Sequence, residues 1–399
     1  MKLASPASFT RDRLTWLAYL MLAYYAYVPG IFGPVMPFLR SELNLSYTLG
    51  GLHLTAFSAG MILTGFFGSA LSRRWGRGAV LWGGAVGIAL GGISLAFARS
   101  VALTLPSVLL MGLCGSCIQF AVQAILSDQH GDRRAVALTE ANIGASLSNA
   151  LAPLLVASFT RLGLGWRFVL YLVGLLLAAL GLFYHQVPIP NESPKRVLSA
   201  PQAKTSLPLI YWGFWVSIIL FVAIEWCLWV WGAEFMIARF GVSKVLASLI
   251  MGIFLGIGVV GRIISSRLTH RFESSALLLT ALGFCLLGFP FFWLSPWVAL
   301  SIAGLYLSGL GVANLFPLAM TLAVGSAPHL TDLASARISL AVGLAGISAP
   351  LALGWVADQV GIQKAYTVLA FFLSAGLILI LFLRRSFLRL SISPDHQTT

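Results

Sequence analysis

The stretch Gly65–Leu81, GFFGSALSRRWGRGAVL, interrupts one long apolar run with a short basic turn, and a second apolar run follows at once. The basic residues of the turn are Arg73, Arg74 and Arg77. A membrane crossing needs about 20 apolar residues, and a short basic turn between two crossings is typical of a cytoplasmic connection. A similar interruption returns at Gly258–Arg271, GVVGRIISSRLTHR. The sequence therefore predicts two helix pairs joined by cytoplasmic basic turns.

The composition excludes a soluble fold. Of the 399 residues, 59% are hydrophobic and only 9% are charged, whereas soluble domains average about 25% charged residues. The net charge of +13 is spread thinly between apolar runs, so it indicates topology rather than a nucleic-acid surface. The four cysteines also lie in apolar runs, so no disulfide framework is expected. We expect the lipid bilayer as a partner and no nucleic acid.

Twelve apolar spans follow one another along the chain. They cover about Leu14–Met36, Thr48–Leu71, Ala79–Phe97, Leu103–Leu126, Ala137–Phe159, Phe168–Gln186, Leu209–Trp231, Val245–Ile264, Ser274–Trp293, Trp297–Val324, Ala334–Ala357 and Tyr366–Leu383. Helices are predicted, because backbone polar groups in a bilayer must be satisfied within the segment and no alternation with period two is present.

Lysine and arginine predict the orientation. With the N-terminus inside, the inner segments and the adjoining ends of the spans hold 18 of the 25 basic residues, so both termini are predicted to be cytoplasmic. We also expect the membrane to be a bacterial inner membrane. The proline-rich connection Val187–Pro208 predicts an extended linker. The predicted organisation is a tail at 1–13, a six-helix bundle at 14–186, a cytoplasmic linker at 187–208, a second bundle at 209–384 and a tail at 385–399.

The two halves repeat each other. Gly112 and Pro153 recur as Gly309 and Pro350, both at an offset of 197 residues. Because six spans separate the copies, the second copy has the same orientation, which predicts a parallel repeat. Such repeats place a solute site near the membrane midplane between the halves.

The segment Gly68–Gly78 resembles the signature turn of the major facilitator superfamily of transporters. In this chain Arg73 stands where the family turn has an acidic residue, and Val108 stands where the family has an arginine in its fourth helix. The Gly-Pro motif of antiporters is not matched by Gly144 and Pro153. The resemblance implies an all-α polytopic membrane protein of twelve transmembrane helices in two six-helix bundles. It also implies that helices one, four, seven and ten line a central cavity.

Glu225 is the strongest candidate for a functional residue. It lies near the middle of the seventh span, where a carboxylate is costly and indicates function by default. Since desolvation favours the neutral form of a carboxyl group, we predict that Glu225 binds and releases a proton during transport.

The substrate-binding candidates are the polar and aromatic residues that the resemblance places on the cavity-lining helices. They are Tyr24, Tyr27, Gln119, Gln123, Trp226, Trp229 and Asn314. Aromatic and amide groups suit a stacked and hydrogen-bonded organic solute. No lysine or arginine lies mid-span on these four helices, which argues against a multiply anionic substrate.

Further charged residues lie near the predicted inner ends of the spans, where we expect them to act in gating. They are Arg73, Arg74, Arg77, Asp128, Glu140, Arg262 and Arg267.

The predicted function is that of a secondary transporter, a monomer that moves a small neutral or weakly charged organic solute with protons by alternating access. No phosphate-binding loop is present, so we expect no ATP-driven machine and no enzyme, catalytic residue, cofactor or metal site. Three alternatives stay open: an efflux antiporter for drugs or metabolites, a non-transporting sensor or scaffold, and a lipid flippase.

Overall fold

The computed structural model describes residues 10–190, 206–328 and 330–392, and every regular element within them is a helix. The helices are α1 (Arg13–Leu43), α2 (Tyr47–Phe97), α3 (Val101–His130), α4 (Arg134–Arg161), α5 (Phe168–Tyr184), α6 (Leu209–Phe240), α7 (Lys244–Leu268), α8 (Ser274–Leu294), α9 (Val298–Gly325), α10 (Thr331–Val360), α11 (Ile362–Ala365) and α12 (Thr367–Ile392), with a 3₁₀ turn at Gly131–Arg133. Of the predicted tails and linker, residues 1–9, 191–205 and 393–399 lie outside the described residues.

The described helices agree with the predicted number of membrane spans. Among the described residues, ten helical stretches are long and apolar enough to cross a membrane. One of them, Val101–Arg161, contains the two predicted spans of α3 and α4, and the shorter apolar helix Phe168–Tyr184 adds another. The helix content is therefore consistent with twelve membrane helices.

The basic turn that follows Gly65 lies inside α2, which covers two predicted spans and bends between them. The bend is at Gly76, where φ is 81° and ψ is 158°. A side chain would clash in this conformation, so glycine is the residue that permits the chain to turn and resume a helix at once.

Helices α1, α6 and α12 extend well past their predicted ends, and α12 continues from Leu383 to Ile392. The spans predicted to end at Met36 and Trp231 continue to Leu43 in α1 and to Phe240 in α6. The spans were predicted from hydropathy, in which an apolar run ends at the first charged residues, whereas a helix continues where those charges find partners. The pair of Arg40 and Glu234, described below, is such a case.

The described residues group into two compact units. Unit 1 comprises the described parts of Met1–Phe32 and Ala56–Leu198, and unit 2 those of Gly33–Thr55 and Ser199–Thr399. The segment Gly33–Thr55, which we call the α1–α2 hairpin, thus packs with the C-terminal helices. The bundle boundaries expected from the sequence stay a prediction.

The internal repeat is visible in the packing of each unit. In unit 1, Gly112 lies so close to the backbone of Phe57 that an added Cβ would overlap its carbonyl group. In unit 2, a Cβ at Gly309 would lie 3.0 Å from the ring of Phe254. Phe254 and Gly309 lie 197 positions after Phe57 and Gly112, respectively. The same offset relates the contact of Gly91 with Ser107 to the contact of Gly288 with Gly304. The two halves therefore use equivalent helix contacts.

Candidate functional site

Glu225 is paired with an arginine in unit 2. It lies at the midpoint of α6, and its Oε1 accepts a hydrogen bond of 3.0 Å from Nη2 of Arg262 on α7. Nε of Arg262 donates to the carbonyl oxygen of Ala313 on α9 at 3.1 Å. The side chains of Glu225 and Arg262 are 26% and 48% exposed. The pair thus joins three helices and places a charge-balanced, accessible group in the middle of α6.

This pairing was missed in the sequence analysis. Glu225 was identified as a lone carboxylate, and Arg262 was assigned to gating. Charged side chains within membrane spans usually pair with one another. Arg262 lies six residues before the end of α7, so its distance from the helix terminus was the signal that could have suggested a partner within the membrane.

Two tryptophans follow Glu225 on α6. The rings of Trp226 and Trp229 meet edge to face, with centroids 5.6 Å apart. Trp229 is only 8% exposed, and its Nε1 has no hydrogen-bond partner among the described residues. A Cβ at Gly33 of the α1–α2 hairpin would overlap the carbonyl oxygen of Trp229, so α1 packs directly on this turn of α6.

Asn314 is buried in unit 2, one residue after the Arg262 partner Ala313. Its Nδ2 donates to the carbonyl oxygen of Leu310 in its own helix at 2.8 Å. Asn314 also lines a cavity of about 160 Å³ between α7, α8 and α9, most of whose wall is apolar. A cavity of this size holds one benzene-sized molecule.

The two tyrosines predicted to bind substrate are packed inside unit 1. Both Tyr24 and Tyr27 are buried. The hydroxyl of Tyr24 donates to the carbonyl oxygen of Ala85 at 3.0 Å, and that of Tyr27 donates to Val169 at 3.1 Å. Their polar atoms are therefore used in helix packing. The helix number alone suggested these two tyrosines, and it does not distinguish the faces of α1.

The two glutamines of α3 lie at more open positions in unit 1. Gln119 is half-buried and Gln123 is exposed. Because they are four residues apart, the two amides share one face of the helix.

The residues predicted to act in gating fall into paired and exposed groups. Arg77, with its side chain only 6% exposed, forms an ion pair of 2.6 Å with Asp128 on α3. Glu140 on α4 binds Arg11 through two hydrogen bonds of 2.6 and 2.8 Å. It also accepts a bond of 3.0 Å from the hydroxyl of Tyr19. The exposed members are Arg73, Arg74 and Arg267.

Asp12, which was not predicted as a site residue, precedes α1 in the same unit and binds Thr15 and Gln129. Its Oδ1 accepts bonds from the backbone N–H and the hydroxyl of Thr15 at 2.8 and 2.6 Å, and its Oδ2 accepts one from Gln129 at 2.8 Å. Partial burial raises the pKa of Asp12, but the bonds from Thr15 and the nearby His130 outweigh it, so the pKa is below its ordinary value.

The α1–α2 hairpin is bound to unit 2 by an ion pair. Nη1 of Arg40 lies 2.9 Å from Oε1 of Glu234 on α6, and the guanidinium lies 3.5 Å from the ring centroid of Tyr47. Lys244 on α7 also donates to the hydroxyl of Ser41. Glu234 is 7% exposed, so the ion pair is well shielded from water.

A second carboxylate binds the hairpin at the start of α2. Asp358, in the last turn of α10, accepts bonds from the backbone N–H groups of Tyr47 and Thr48 at 2.7 and 2.8 Å. It also accepts one from the Thr48 hydroxyl at 2.5 Å. A negative charge is unfavourable at the C-terminus of its own helix and favourable at the N-terminus of another. The interaction with α2 therefore explains an acidic residue at this end of α10.

Close backbone contacts accompany these polar ones. A Cβ at Gly51 would lie 2.8 Å from the Pro350 carbonyl oxygen, and one at Gly354 would lie 2.5 Å from the Tyr47 carbonyl oxygen. The indole N–H of Trp231 donates to the same Pro350 oxygen at 2.9 Å. The hairpin therefore lies directly on α6 and α10.

Comparison with known proteins gives a consistent assignment. The family model of the Major Facilitator Superfamily matches residues 15–347, and no curated protein matches the chain. A solved structure of a bacterial homologue of the human lysosomal transporter Spinster is similar, with 16% identity, a TM-score of 0.76 and coverage of 97% of this chain and 100% of that one. The nucleoside transporter NupG has 15% identity, a TM-score of 0.75 and coverage of 94% and 100%. A D-xylose–proton symporter has 17% identity, a TM-score of 0.72 and coverage of 93% and 96%.

At these identities the structural likeness shows the fold alone, whereas the family model covers most of the chain. This integral membrane chain of apolar helices therefore belongs to the Major Facilitator Superfamily of transporters.

Proposed function

We propose that the protein is a proton-coupled secondary transporter that moves a small, neutral or weakly charged organic solute by alternating access. The observation that carries this proposal is the pairing of Glu225 with Arg262 at the midpoint of α6. The similar structures include transporters named for a nucleoside, for D-xylose with protons and for peptides, which supports an organic solute.

The ion pair supplies a physical reason for coupling. A charged pair within a membrane is tolerated because each charge balances the other. When Glu225 takes up a proton, its interaction with Arg262 weakens and the charge of the site changes by one. A solute or a helix arrangement that binds or fits better when Glu225 is protonated therefore becomes more populated when a proton binds.

The proposed solute contacts are Trp226, Trp229, Asn314, Gln119 and Gln123. The tryptophans follow Glu225 on α6 and offer aromatic rings, and the amides offer both donors and acceptors. Tyr24 and Tyr27 are left out, because their hydroxyls are bound to backbone carbonyls in the interior of unit 1.

Gating in this proposal involves the contacts that join separate helices. In one phase of the cycle, the α1–α2 hairpin dissociates from α6 and α10 on the outer side. This step breaks the Arg40–Glu234 pair and the bonds from Asp358 to the start of α2. Arg77 with Asp128 and the neighbouring arginines act at the cytoplasmic side. The proposal further includes a monomer in a bacterial inner membrane with both termini cytoplasmic.

The test is solute-induced proton movement in proteoliposomes that contain the purified protein. A pH-sensitive dye is followed while sugars, nucleosides, amino acids, organic acids and cationic drugs are added in turn. We expect one class to drive proton uptake, and we expect Glu225→Gln to reduce this signal at least tenfold, since an amide binds no proton in this range. Glu273→Gln, at the exposed start of α8, is the matched control and should retain the signal.

Solute uptake without proton movement, unaffected by Glu225→Gln, would contradict the coupling role. Absence of flux for every solute of the panel would contradict the proposed transport function.

A further inference from the structure

Arg262 uses only part of its hydrogen-bonding capacity. A guanidinium group has five N–H donors, and Arg262 forms two bonds to the described residues, one from Nε to Ala313 and one from Nη2 to Glu225. The side chain is 48% exposed. The arginine therefore presents unused donors at an accessible position, next to an acid that occupies one of its edges.

The charges around this pair balance one to one. Among the described residues of unit 2, the titratable groups that interact with Glu225 are Arg262 and the thiol of Cys285 on α8. Neither α9 nor the span of α12 up to Leu383 contains a charged residue. On α10, Arg337 interacts with Tyr211, which lies about 21 Å before Glu225 along α6 at the rise of an α-helix. One carboxylate thus neutralises one guanidinium.

Protonation of Glu225 disturbs this balance. The guanidinium of Arg262 then keeps its charge without a counterion inside a membrane, which is costly. A single external carboxylate would restore neutrality, and it could bind the guanidinium through two parallel bonds, the strongest arrangement for this pair of groups. A neutral solute would leave one positive charge, and a dianion would leave one negative charge.

We propose that the substrate is a monocarboxylate, whose carboxylate group replaces Glu225 on Arg262 when Glu225 takes up a proton. The inference rests on the proposed transport function and deepens it. One proton moves from water to the Glu225 carboxylate, and the hydrogen bond from Nη2 to Oε1 is exchanged for bonds from Arg262 to the solute. No covalent bond changes, and one proton and one monoanion are carried per cycle without net charge. Trp226 and Trp229 provide the faces against which the organic part of the solute packs.

Binding to the purified full-length protein is measured by isothermal titration calorimetry between pH 5.5 and 8. The probes are benzoate, its neutral analogue benzamide, the dianion phthalate and the zwitterion phenylalanine. Of these probes, we expect only benzoate to bind. Its affinity should fall about tenfold for each unit of increase in pH, over the range in which binding requires Glu225 to take up a proton. Benzamide at equal affinity, or a zwitterion that binds independently of pH, would overturn the proposal.

The variants separate the roles of the two residues. Glu225→Gln should bind benzoate at least as tightly as the wild type at low pH, but without pH dependence, because Arg262 is permanently unbalanced. Arg262→Gln should weaken benzoate binding at least tenfold, and Arg262→Lys should weaken it less, since it keeps the charge and loses the two-bond geometry. Arg271→Gln, exposed after the end of α7, is the control and should bind normally.

Failure of this inference is distinguishable from failure of the transport function. If benzoate does not bind, while another solute drives Glu225-dependent proton uptake in proteoliposomes, only the monocarboxylate inference is refuted. If no solute drives flux, both proposals fall. Should Arg262→Gln not fold, Arg262→Lys still decides the matter, since unchanged benzoate affinity in that variant would overturn the role of the guanidinium.

Discussion

Asp12 begins α1 and at the same time binds the end of α3. Its carboxylate accepts bonds from Thr15, which is the usual role of an N-cap residue, and from Gln129 in another helix. The Thr15 hydroxyl in turn lies 2.9 Å from Nε2 of His130. One side chain therefore sets both the first turn of α1 and its position against α3.

Removal of this carboxylate should have a measurable, pH-dependent cost. We expect Asp12→Ala to lower the free energy of unfolding by about 1 kcal/mol at pH 7, the usual cost of losing an N-cap, and Asp12→Asn to cost less because it keeps a capping oxygen. Since folding lowers the pKa of Asp12, the carboxylate stabilises the fold above the ordinary value of about 4. This contribution is lost as the pH falls through the lowered pKa.

Thermal unfolding of the purified protein in detergent, at pH 7 and at about pH 3, checks this prediction. The difference between wild type and Asp12→Asn should narrow at the acidic pH. An equal difference at both values would mean that the charge of Asp12 does not contribute.

Single residues also show which parts of the site the sequence could reveal. Glu225 was identifiable because a carboxylate in an apolar span is rare and costly. Its partner Arg262 lies in another helix, and the facing of two helices is decided by tertiary packing. Asp358 gave no signal, because the groups it binds, the N–H groups of Tyr47 and Thr48, are about 310 positions away in sequence.

At the scale of helices, the α1–α2 hairpin depends on the absence of side chains at its contacts. The atoms nearest to a Cβ at Gly51 belong to the backbone of Pro350 and Leu351 in α10, and backbone atoms cannot rotate away. The approach of α2 to α10 is therefore set by this glycine.

We expect Gly51→Ala to destabilise the protein by about 1–3 kcal/mol, the usual cost of overpacking. Gly83→Ala is the matched control in the same helix, since a Cβ there meets nothing within 4 Å. The control should be neutral or stabilising by up to about 1 kcal/mol, because alanine is the better helix former. Thermal midpoints in detergent compare the two variants, and equal stability would show that α2 and α10 can separate without cost.

The helices themselves were largely predictable, because an apolar run of membrane length has few alternatives to a helix. The ends of the helices were less predictable. The predicted ends of α1 and α6 fell short where Arg40 and Glu234 pair with each other, since hydropathy treats each charge as a boundary. The faces of α1 were also not predictable, as the packing of Tyr24 and Tyr27 illustrates.

At the scale of the whole molecule, the proposed cycle requires the α1–α2 hairpin to leave the C-terminal helices. The contacts that oppose this step are the Arg40–Glu234 pair, the bonds of Asp358 to the start of α2 and the close packing at Gly51. A change that weakens one of them, without affecting the released state, shifts the population toward release.

Asp358→Asn and Glu234→Gln should both favour the released hairpin. Hydrogen exchange followed by mass spectrometry should show faster exchange of the amides at the start of α2, where Tyr47 and Thr48 donate to Asp358. A several-fold increase in the exchange rate corresponds to a decrease of about 1 kcal/mol in the free energy of opening, a common value for the interaction of a charge with a helix terminus. Asp132→Asn, in the exposed turn before α4, is the control. Unchanged exchange in both test variants would show that these carboxylates do not hold the hairpin.

During synthesis, the α1–α2 hairpin is made long before the residues that it binds. Arg40 and the start of α2 emerge from the ribosome early, whereas their partners Glu234 and Asp358 lie about 190 and 310 residues later in the chain. At about 5–20 residues per second, the first partner is made roughly 10–40 s after Arg40 and the second later still. During this time the nascent N-terminal half must keep an arginine and an open helix terminus hydrated. The hairpin therefore completes its packing only after α10 has been synthesised and inserted, which makes its closure a late step of biogenesis.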